Sequence, residues 1–249
     1  MTDLINHRRT PILDGRLSAA MELAGETKVF ADIGADHGRL SAVLLLNDPE
    51  RLALVADISA PALSKARTLI ERLGLTERAV FAVANGLDAL DACREHIPDT
   101  IFVLGMGGET VSGILRRGQN KLQGARLILG AQTDLSAVRS TLVEIGYRIR
   151  REVVACENER DYILIRAEVS QEHEACYSEE ELLLGPSLLR QLPQNWSPVL
   201  IRRMRLLEQG IHAMTSSANA KDSERLALFQ RELQYIQKAL AQLSSGKDE

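Results

Sequence analysis

The segment from residue 31 to residue 38 brings together residue types that can bind a charged small molecule. It reads Ala-Asp-Ile-Gly-Ala-Asp-His-Gly and lies between an apolar run and a helical stretch. Glycines at the end of a strand let a ligand approach the backbone, and open α/β sheets bind ligands at this position. The loop therefore predicts a ligand site formed by Asp32, Gly34, Asp36 and His37.

Asp36 separates two classes of ligand for this loop. In the dinucleotide fingerprint GxGxxG, the second and third glycines would fall on Asp36 and Arg39. A carboxylate directed at a pyrophosphate places like charges together, whereas S-adenosylmethionine carries an ammonium and a sulfonium group. We therefore expect S-adenosylmethionine as the cofactor, with His37 capping the loop rather than acting in acid–base chemistry.

Two further strand ends carry residues suited to an adenosine group. Asp57 ends the second predicted strand, where a carboxylate can accept hydrogen bonds from both ribose hydroxyls, and Ile58 follows it. Asn85 and Gly86 follow the third strand, where an amide could read an adenine edge and a glycine could make room for the ring. An ordinary Asn-Gly turn explains this last pair equally well.

The fourth predicted strand is followed by Gly105, Met106, Gly107 and Gly108. In methyltransferases the corresponding loop faces the transferred methyl group and often contacts the acceptor base. Three small residues would let a flat ring approach. We therefore predict that this segment lies between methyl donor and acceptor and forms the catalytic part of the site.

The elements that position these residues alternate between short apolar runs and amphipathic stretches, the pattern of βαβ units on a parallel sheet. The predicted strands are 29–33, 52–58, 80–84, 100–104, 126–129, 152–155 and 162–167, the last two forming an antiparallel hairpin around a 157–161 turn. Helices are predicted at 39–46, 60–73 and 135–145. We expect a cofactor-binding α/β domain at 1–169.

Composition changes after residue 169, and no strand pattern follows. A helix is predicted at 179–192, followed by two long helices at about 199–214 and 221–243 with a turn at 216–220. Their apolar residues recur every three or four positions, which predicts an antiparallel hairpin packed like a coiled coil. We therefore expect a second, helical domain at 170–249.

Charge and cysteine content narrow the possible partners. The formal net charge is −4, so a nucleic-acid partner would need a local basic patch. No run of about eighteen apolar residues and no signal-peptide pattern occurs, which predicts a cytoplasmic protein without a membrane partner. The three cysteines show no metal-ligand spacing, so we expect neither a metal nor disulfides.

Three motifs together carry a family resemblance: ADIGADHGRL at 31–40, ANGL at 84–87 and LGMGGE at 104–109. In this combination the chain closely resembles the bacterial tRNA (adenine(22)-N1)-methyltransferase family. The resemblance implies a Rossmann-like class I methyltransferase sheet with a C-terminal helical coiled-coil domain. It further implies methyl transfer from S-adenosylmethionine to adenine N1 of tRNA, at position 22.

The resemblance also suggests residues on the tRNA side. Arg16 matches the family's opening Arg-Leu element. Tyr162 could stack on a base, and a half-buried tyrosine of a strand explains it equally well. Arg202, Arg203 and Arg205 form a basic cluster that could contact phosphates. Arg116 and Arg117 are further basic candidates. Two departures concern the substrate side: Gly130-Ala131-Gln132 replaces a Gln-Pro-Asn element, and Asp161-Tyr162-Ile163 lacks a following glutamate.

Other functions remain open at this stage. A small-molecule methyltransferase would share the cofactor site but show no salt-dependent RNA binding, whereas a noncatalytic RNA-binding module would bind RNA without consuming methyl donor. A nicotinamide oxidoreductase is a more distant alternative. The sequence allows a monomer or a homodimer.

Overall fold

The structure is a computed structural model, and it describes residues 10–93, 95–158, 160–170, 176–216 and 223–245. The chain divides into two compact units, Met1–Ala175 and Cys176–Glu249. Residues 171–175 lie outside the described part, so the predicted boundary at 169 stays a prediction.

The first unit is built on a seven-stranded sheet. Its strands are β1 (Val29–Ile33), β2 (Leu52–Asp57), β3 (Ala79–Val83), β4 (Thr100–Met106), β5 (Arg126–Ala131), β6 (Tyr147–Glu157) and β7 (Arg160–Val169). Their spatial order is β3-β2-β1-β4-β5-β7-β6. Strands β1 to β5 pair in parallel, while β7 pairs antiparallel with both β5 and β6. The predicted parallel sheet with an antiparallel edge is confirmed.

In the described part of this unit, five α-helices flank the sheet: α1 (Gly15–Ala24), α2 (Arg39–Asn47), α3 (Ala60–Leu73), α4 (Gly108–Gly118) and α5 (Leu135–Glu144). Helix α3 starts where the Ser59 hydroxyl accepts a hydrogen bond from Ala62 N, and it stops at Gly74. The predictions for α2, α3 and α5 are confirmed to within a residue or two. Helices α1 and α4 were not predicted.

Strand β4 extends further than the sequence indicated. It runs through Gly105 to Met106, with a register shift between Leu104 and Met106 in its pairing with β5. Gly105 and Met106 are therefore held in the sheet rather than in a loop. The β6–β7 hairpin is likewise longer than predicted, and Glu159 in its turn lies outside the described residues.

The strand order creates a binding crevice at a defined place. Strand β1 pairs with β2 on one side and with β4 on the other. The chain thus reverses its direction across the sheet at β1 and β4, and such a switch point opens a crevice at the carboxyl ends of the strands. Asp32, Asp57 and the end of β4 lie at these ends.

The second unit is entirely helical in its described residues. It contains α6 (Glu179–Leu184), α7 (Pro186–Gln191), α8 (Ser197–Ser216) and α9 (Ser223–Ser245). The prediction of one helix at 179–192 is wrong, because Gly185 adopts a φ of 109° and Pro186 then begins a new helix.

Helices α8 and α9 pack as an antiparallel pair. Arg203 bonds to Glu232, and Gly210 packs against the ring of Phe229. The predicted apolar stripe lies between them, with Leu207 and Ile236 fully buried. The turn predicted at 216–220 falls, apart from residue 216, within 217–222, which lie outside the described residues. None of the described helices is long and apolar enough to cross a membrane.

Candidate functional site

Two adjoining cavities open at the carboxyl ends of β1, β2 and β4. The first cavity has a volume of about 390 Å³ and the second about 360 Å³. Gly34, Asp57 and Met106 line both of them. The predicted cofactor residues all line one cavity or both: Asp32, Asp36 and His37 the first, Ile58, Asn85 and Gly86 the second, Gly34 and Asp57 both.

The loop after β1 is tied to the neighbouring strand. The backbone N–H groups of Gly34 and Ala35 donate to the carbonyl oxygen of Ala56 at 2.8 and 3.0 Å. Asp36 has a φ of 43°, and its backbone N–H donates to Asp57 Oδ2 at 3.3 Å. The loop therefore holds the two carboxylates at one rim.

His37 does not cap the helix that follows the loop. Gly38 occupies the N-cap position of α2 and makes no side-chain cap bond. The His37 ring instead contacts Asp36, with Nδ1 2.6 Å from Oδ2, and both side chains are more than half exposed. That His37 caps the cofactor loop stays a prediction, and the pair offers the first cavity an exposed polar edge.

Asp32 is the most deeply buried charged group at the site. Its side chain is 5% exposed, and the Ser41 hydroxyl donates to its Oδ2 at 2.6 Å. Burial raises the pKa of Asp32 to about 6, while the Ser41 hydrogen bond and the charge of Arg16 act in the opposite direction. The attraction between the ionised Asp32 carboxylate and a cation is stronger here than at the surface, because little solvent screens it.

The second cavity has a polar wall and an apolar wall. Asn85 Oδ1 accepts a hydrogen bond from Arg117 Nη2 at 2.9 Å. Ile58 is 68% exposed although it is a large apolar side chain. An exposed apolar surface beside an amide suits a flat heterocycle, which has apolar faces and polar edges.

Other protein groups fill the space beside the glycines at 105–108, so these glycines do not open onto empty space. Gly105 has a φ of 79°, and a Cβ there would lie 2.8 Å from Arg16 Nη1. A Cβ on Gly108 would meet the backbone carbonyl oxygens of Thr133 and Asp134, so α4 begins directly against that backbone. The Met106 side chain lies over Gly34, between the two cavities.

Arg16, near the start of α1, also lines the first cavity. Its guanidinium carbon lies 5.6 Å from the centroid of the Tyr162 ring. The start of α1 is fixed because Gly15 N donates to Glu157 Oε2 at 2.6 Å. Arg16 and Tyr162 are thus brought together near Gly105, and Gln132 lines the same cavity.

One residue of the basic cluster in the second unit, Arg203, forms an ion pair with the neighbouring helix. Arg203 donates to both carboxylate oxygens of Glu232, at 2.6 and 2.8 Å, and Glu232 is 6% exposed. This ion pair neutralises the Arg203 charge within the helix pair. Arg202 and Arg205 lie on the exposed part of α8.

Sequence reasoning missed Ser41 and the position of Arg117. Ser41 gave no sequence signal beyond its place in the helix after the loop. Arg117 was considered only as a basic residue for tRNA, because α4 was not recognised as a helix. Within the described residues, no cluster of three or more histidine, cysteine or carboxylate side chains is arranged to hold a metal ion.

Comparison with known proteins connects this geometry to an activity. The sequence profile of the tRNA (adenine(22)-N(1))-methyltransferase family matches residues 30–246. The tRNA (adenine(22)-N(1))-methyltransferase of Bacillus subtilis (strain 168) is 29% identical over 224 residues, covering 86% of this chain and 92% of the relative.

Two solved structures share the fold. The B. subtilis M1A22 tRNA methyltransferase matches with a TM-score of 0.83 at 22% identity, over 92% of this chain and 99% of its own. A Streptococcus pneumoniae protein in complex with S-adenosyl-L-methionine matches with a TM-score of 0.78 at 22% identity, over 92% and 100% of the two chains. At these identities the matches show a common architecture.

Proposed function

The chain belongs to the tRNA (adenine(22)-N(1))-methyltransferase family, and from this premise we propose how its two cavities divide the reaction. Members transfer a methyl group from S-adenosylmethionine to adenine N1 of tRNA. The second cavity holds the adenosine of the cofactor, and the first holds its methionine end together with the acceptor adenine. The observation that carries this proposal is that the two cavities share Gly34, Asp57 and Met106.

The residues present fit S-adenosylmethionine. Asp57 ends β2 at the junction of the cavities, where its carboxylate can accept hydrogen bonds from ribose hydroxyls. Ile58 supplies an apolar face for the adenine ring. Asp32 and Asp36 supply negative charge on the side of the first cavity, which suits the ammonium and sulfonium groups.

The acceptor adenine has its own set of neighbours. Arg16 and Tyr162 form a cation–π pair beside Gly105, and an aromatic ring or a guanidinium plane can stack on a base that has left its helix. Unstacking a base costs roughly a few kcal/mol, and such stacking offsets this cost. In this proposal Gly105, which lies against Arg16, and Met106, which lies over Gly34, separate the acceptor from the cofactor, while Gly107 and Gly108 support them by packing near Thr133 and Asp134.

The chemistry requires little from acid–base groups. When bound, S-adenosylmethionine would supply a methyl group that its sulfonium already activates. The lone pair of the neutral adenine N1 would form the new N–C bond as the S–C bond breaks, leaving S-adenosylhomocysteine and a positively charged 1-methyladenine. Because N1 carries no proton at this stage, no side chain needs to act as a base. The residues of the two cavities contribute by aligning the donor and the acceptor and by excluding water, which lowers the barrier substantially.

The helical unit contributes to tRNA binding in this proposal. Arg202 and Arg205 lie on the exposed side of α8 and contact phosphates, whereas Arg203 stabilises the helix pair through Glu232. A tRNA substrate supports a cytoplasmic location. Whether the chain acts as a monomer or as a homodimer stays a prediction.

The test uses an unmodified tRNA transcript and S-adenosylmethionine with an isotopically labelled methyl group. After incubation, the RNA is digested and its nucleosides are identified by mass spectrometry. We expect labelled 1-methyladenosine at position 22, and none when that adenine is replaced by guanine. The Asp57→Ala variant should lose most of the activity, because it lacks the ribose contact.

Two outcomes would change the proposal in different ways. Labelled 1-methyladenosine at another position would overturn the assignment of the nucleotide but keep the chemistry. Cofactor binding without methylation of any tRNA nucleoside would overturn the tRNA assignment for this chain, and small-molecule acceptors would then be the substrates to test.

A further inference from the structure

A hydrogen bond in the second cavity joins a side chain of the cofactor site to α4. Arg117 Nη2 donates to Asn85 Oδ1 at 2.9 Å, and both residues line the cavity. Arg117 lies one helical turn after Gly113, and a Cβ built on Gly113 would lie 4.0 Å from Arg117 Nη1.

The contact with Arg117 determines how the Asn85 amide group is oriented. A carboxamide can turn over with little change in shape, exchanging its oxygen for its NH2 group. A guanidinium has donors only, so the Asn85 atom that it contacts must be the oxygen. A carbonyl oxygen has two lone pairs, and the second can still accept a hydrogen bond from a ligand.

We propose that Arg117 is a positioning residue that fixes the Asn85 amide, so that its oxygen accepts a hydrogen bond from the amino group of the cofactor's adenine. If the amide turned over, two donors would face each other. The site therefore selects a ring with an amino group over one with a carbonyl group at the same position. This inference rests on the proposed function, which assigns the second cavity to adenosine.

The test measures binding of two ligands to the full-length chain by titration calorimetry. S-adenosylhomocysteine carries the amino group, and S-inosylhomocysteine carries a carbonyl oxygen in its place. We expect the wild type to prefer the adenosyl ligand by about tenfold or more, since the carbonyl oxygen of the inosyl ligand would face the Asn85 oxygen, and two acceptors cannot hydrogen-bond to each other. The Arg117→Met variant should lower this preference to about threefold or less.

A second variant separates orientation from loss of structure. In the double variant with Asn85→Asp and Arg117→Met, both terminal atoms of residue 85 are oxygens, so no orienting partner is required. We expect this variant to regain the preference for the adenosyl ligand. The control is Arg116→Met, which removes the neighbouring charge in the same turn of α4, where Arg116 bonds to Glu144 at 2.8 Å. Its preference for the adenosyl over the inosyl ligand should equal that of the wild type.

Several results would overturn the proposal. The first is an Arg117→Met variant that keeps the wild-type preference for the adenosyl ligand. The second is an equal loss of affinity for both ligands in that variant. The third is a double variant that does not regain the preference. These results differ from a failure of the proposed function, in which the wild-type chain would bind neither ligand.

Discussion

At the scale of single residues, Asp32 combines a structural cost with a functional use. Its carboxyl group is buried at the end of β1 and is held by the Ser41 hydroxyl at 2.6 Å. Burial raises its pKa from 3.8 to about 6. The folded protein therefore holds more protons than the unfolded chain between these two pH values, and the free energy of unfolding falls as pH rises through that interval.

This linkage predicts opposite effects of Asp32→Asn on stability and on cofactor binding. At pH 7.5 the variant should be more stable than wild type by roughly 1 to 3 kcal/mol, because it avoids burying a charge, and the gain should shrink towards pH 5. Its affinity for S-adenosylmethionine should fall. Denaturant unfolding at both pH values and calorimetric titration measure the two effects.

A matched variant tests the role of the hydroxyl. Ser41→Ala removes a hydrogen bond that favours the charged form, so the pKa of Asp32 should rise further. Cofactor affinity, which we expect to weaken as pH drops below about 6 in the wild type, should then begin to weaken at a higher pH. A pH profile that is identical in both proteins would contradict this account.

Gly105 allows a comparison between backbone strain and site geometry. Gly105 and Gly124 have φ values of 79° and 81°, but a Cβ on Gly105 would lie 2.8 Å from Arg16 Nη1, whereas one on Gly124 would meet nothing within 4 Å. Replacement by alanine should cost each variant about 1 to 2 kcal/mol of stability.

The two alanine variants should differ in catalysis. Only Gly105→Ala should displace Arg16, so we expect its kcat for tRNA methylation to fall by about tenfold or more while cofactor affinity changes little. Gly124→Ala should retain wild-type kcat. Equal kcat values for the two variants, at temperatures where both are folded, would remove Arg16 from the acceptor side.

At the scale of elements, the α8–α9 pair depends on one ion pair as well as on its apolar stripe. Arg203→Met leaves the carboxylate of Glu232, which is 6% exposed, without its partner. We expect a loss of about 1 to 3 kcal/mol, at the lower end because Arg203 itself is half exposed. Arg205→Met, on the same helix, should change stability by less than about 0.5 kcal/mol.

A local probe can measure this effect. Trp196, the one tryptophan of the chain, is 1% exposed and directly precedes α8. Its fluorescence during urea unfolding reports on this part of the molecule. The midpoint should move to lower urea in Arg203→Met and stay unchanged in Arg205→Met. A shift of equal size in both variants would contradict the assigned role of the pair.

The elements also explain how far the sequence could predict the site. Strands β1 to β5 are short runs of Val, Ile, Leu and Ala, so their ends could be located, and with them Asp32, Asp57 and Asn85. Helix α4 begins and ends in glycine, which hid its helical character. The contact between Arg117 and Asn85 depends on how α4 lies against the sheet, and no local pattern contains that information.

The ion pair between Arg203 and Glu232 is a further contact that the sequence alone could not predict. Arg202, Arg203 and Arg205 are equivalent as letters in a basic run. The antiparallel packing of α8 and α9 brings Glu232 to Arg203, 29 positions along the chain. Spacing predicted the hairpin, but only the register between its helices brings Glu232 to Arg203.

At the scale of the whole molecule, the net charge of −4 opposes the approach of a polyanion. Binding of tRNA must therefore depend on where the positive charges lie. Replacing both Arg202 and Arg205 with alanine should weaken tRNA binding and reduce the slope of log K against log salt by about 1.4 to 1.8, since each phosphate contact contributes roughly 0.7 to 0.9.

A second double variant separates local contacts from total charge. Arg231 and Lys238 lie on α9 and are paired with Glu179 and Glu180. Replacing both with alanine removes two positive charges, as many as the Arg202/Arg205 variant loses, and takes the formal net charge from −4 to −6. If contacts at 202 and 205 determine binding, this control keeps nearly the wild-type slope. If both double variants lose affinity equally, the long-range field of the molecule determines binding, and the assignment of α8 to tRNA phosphates is wrong.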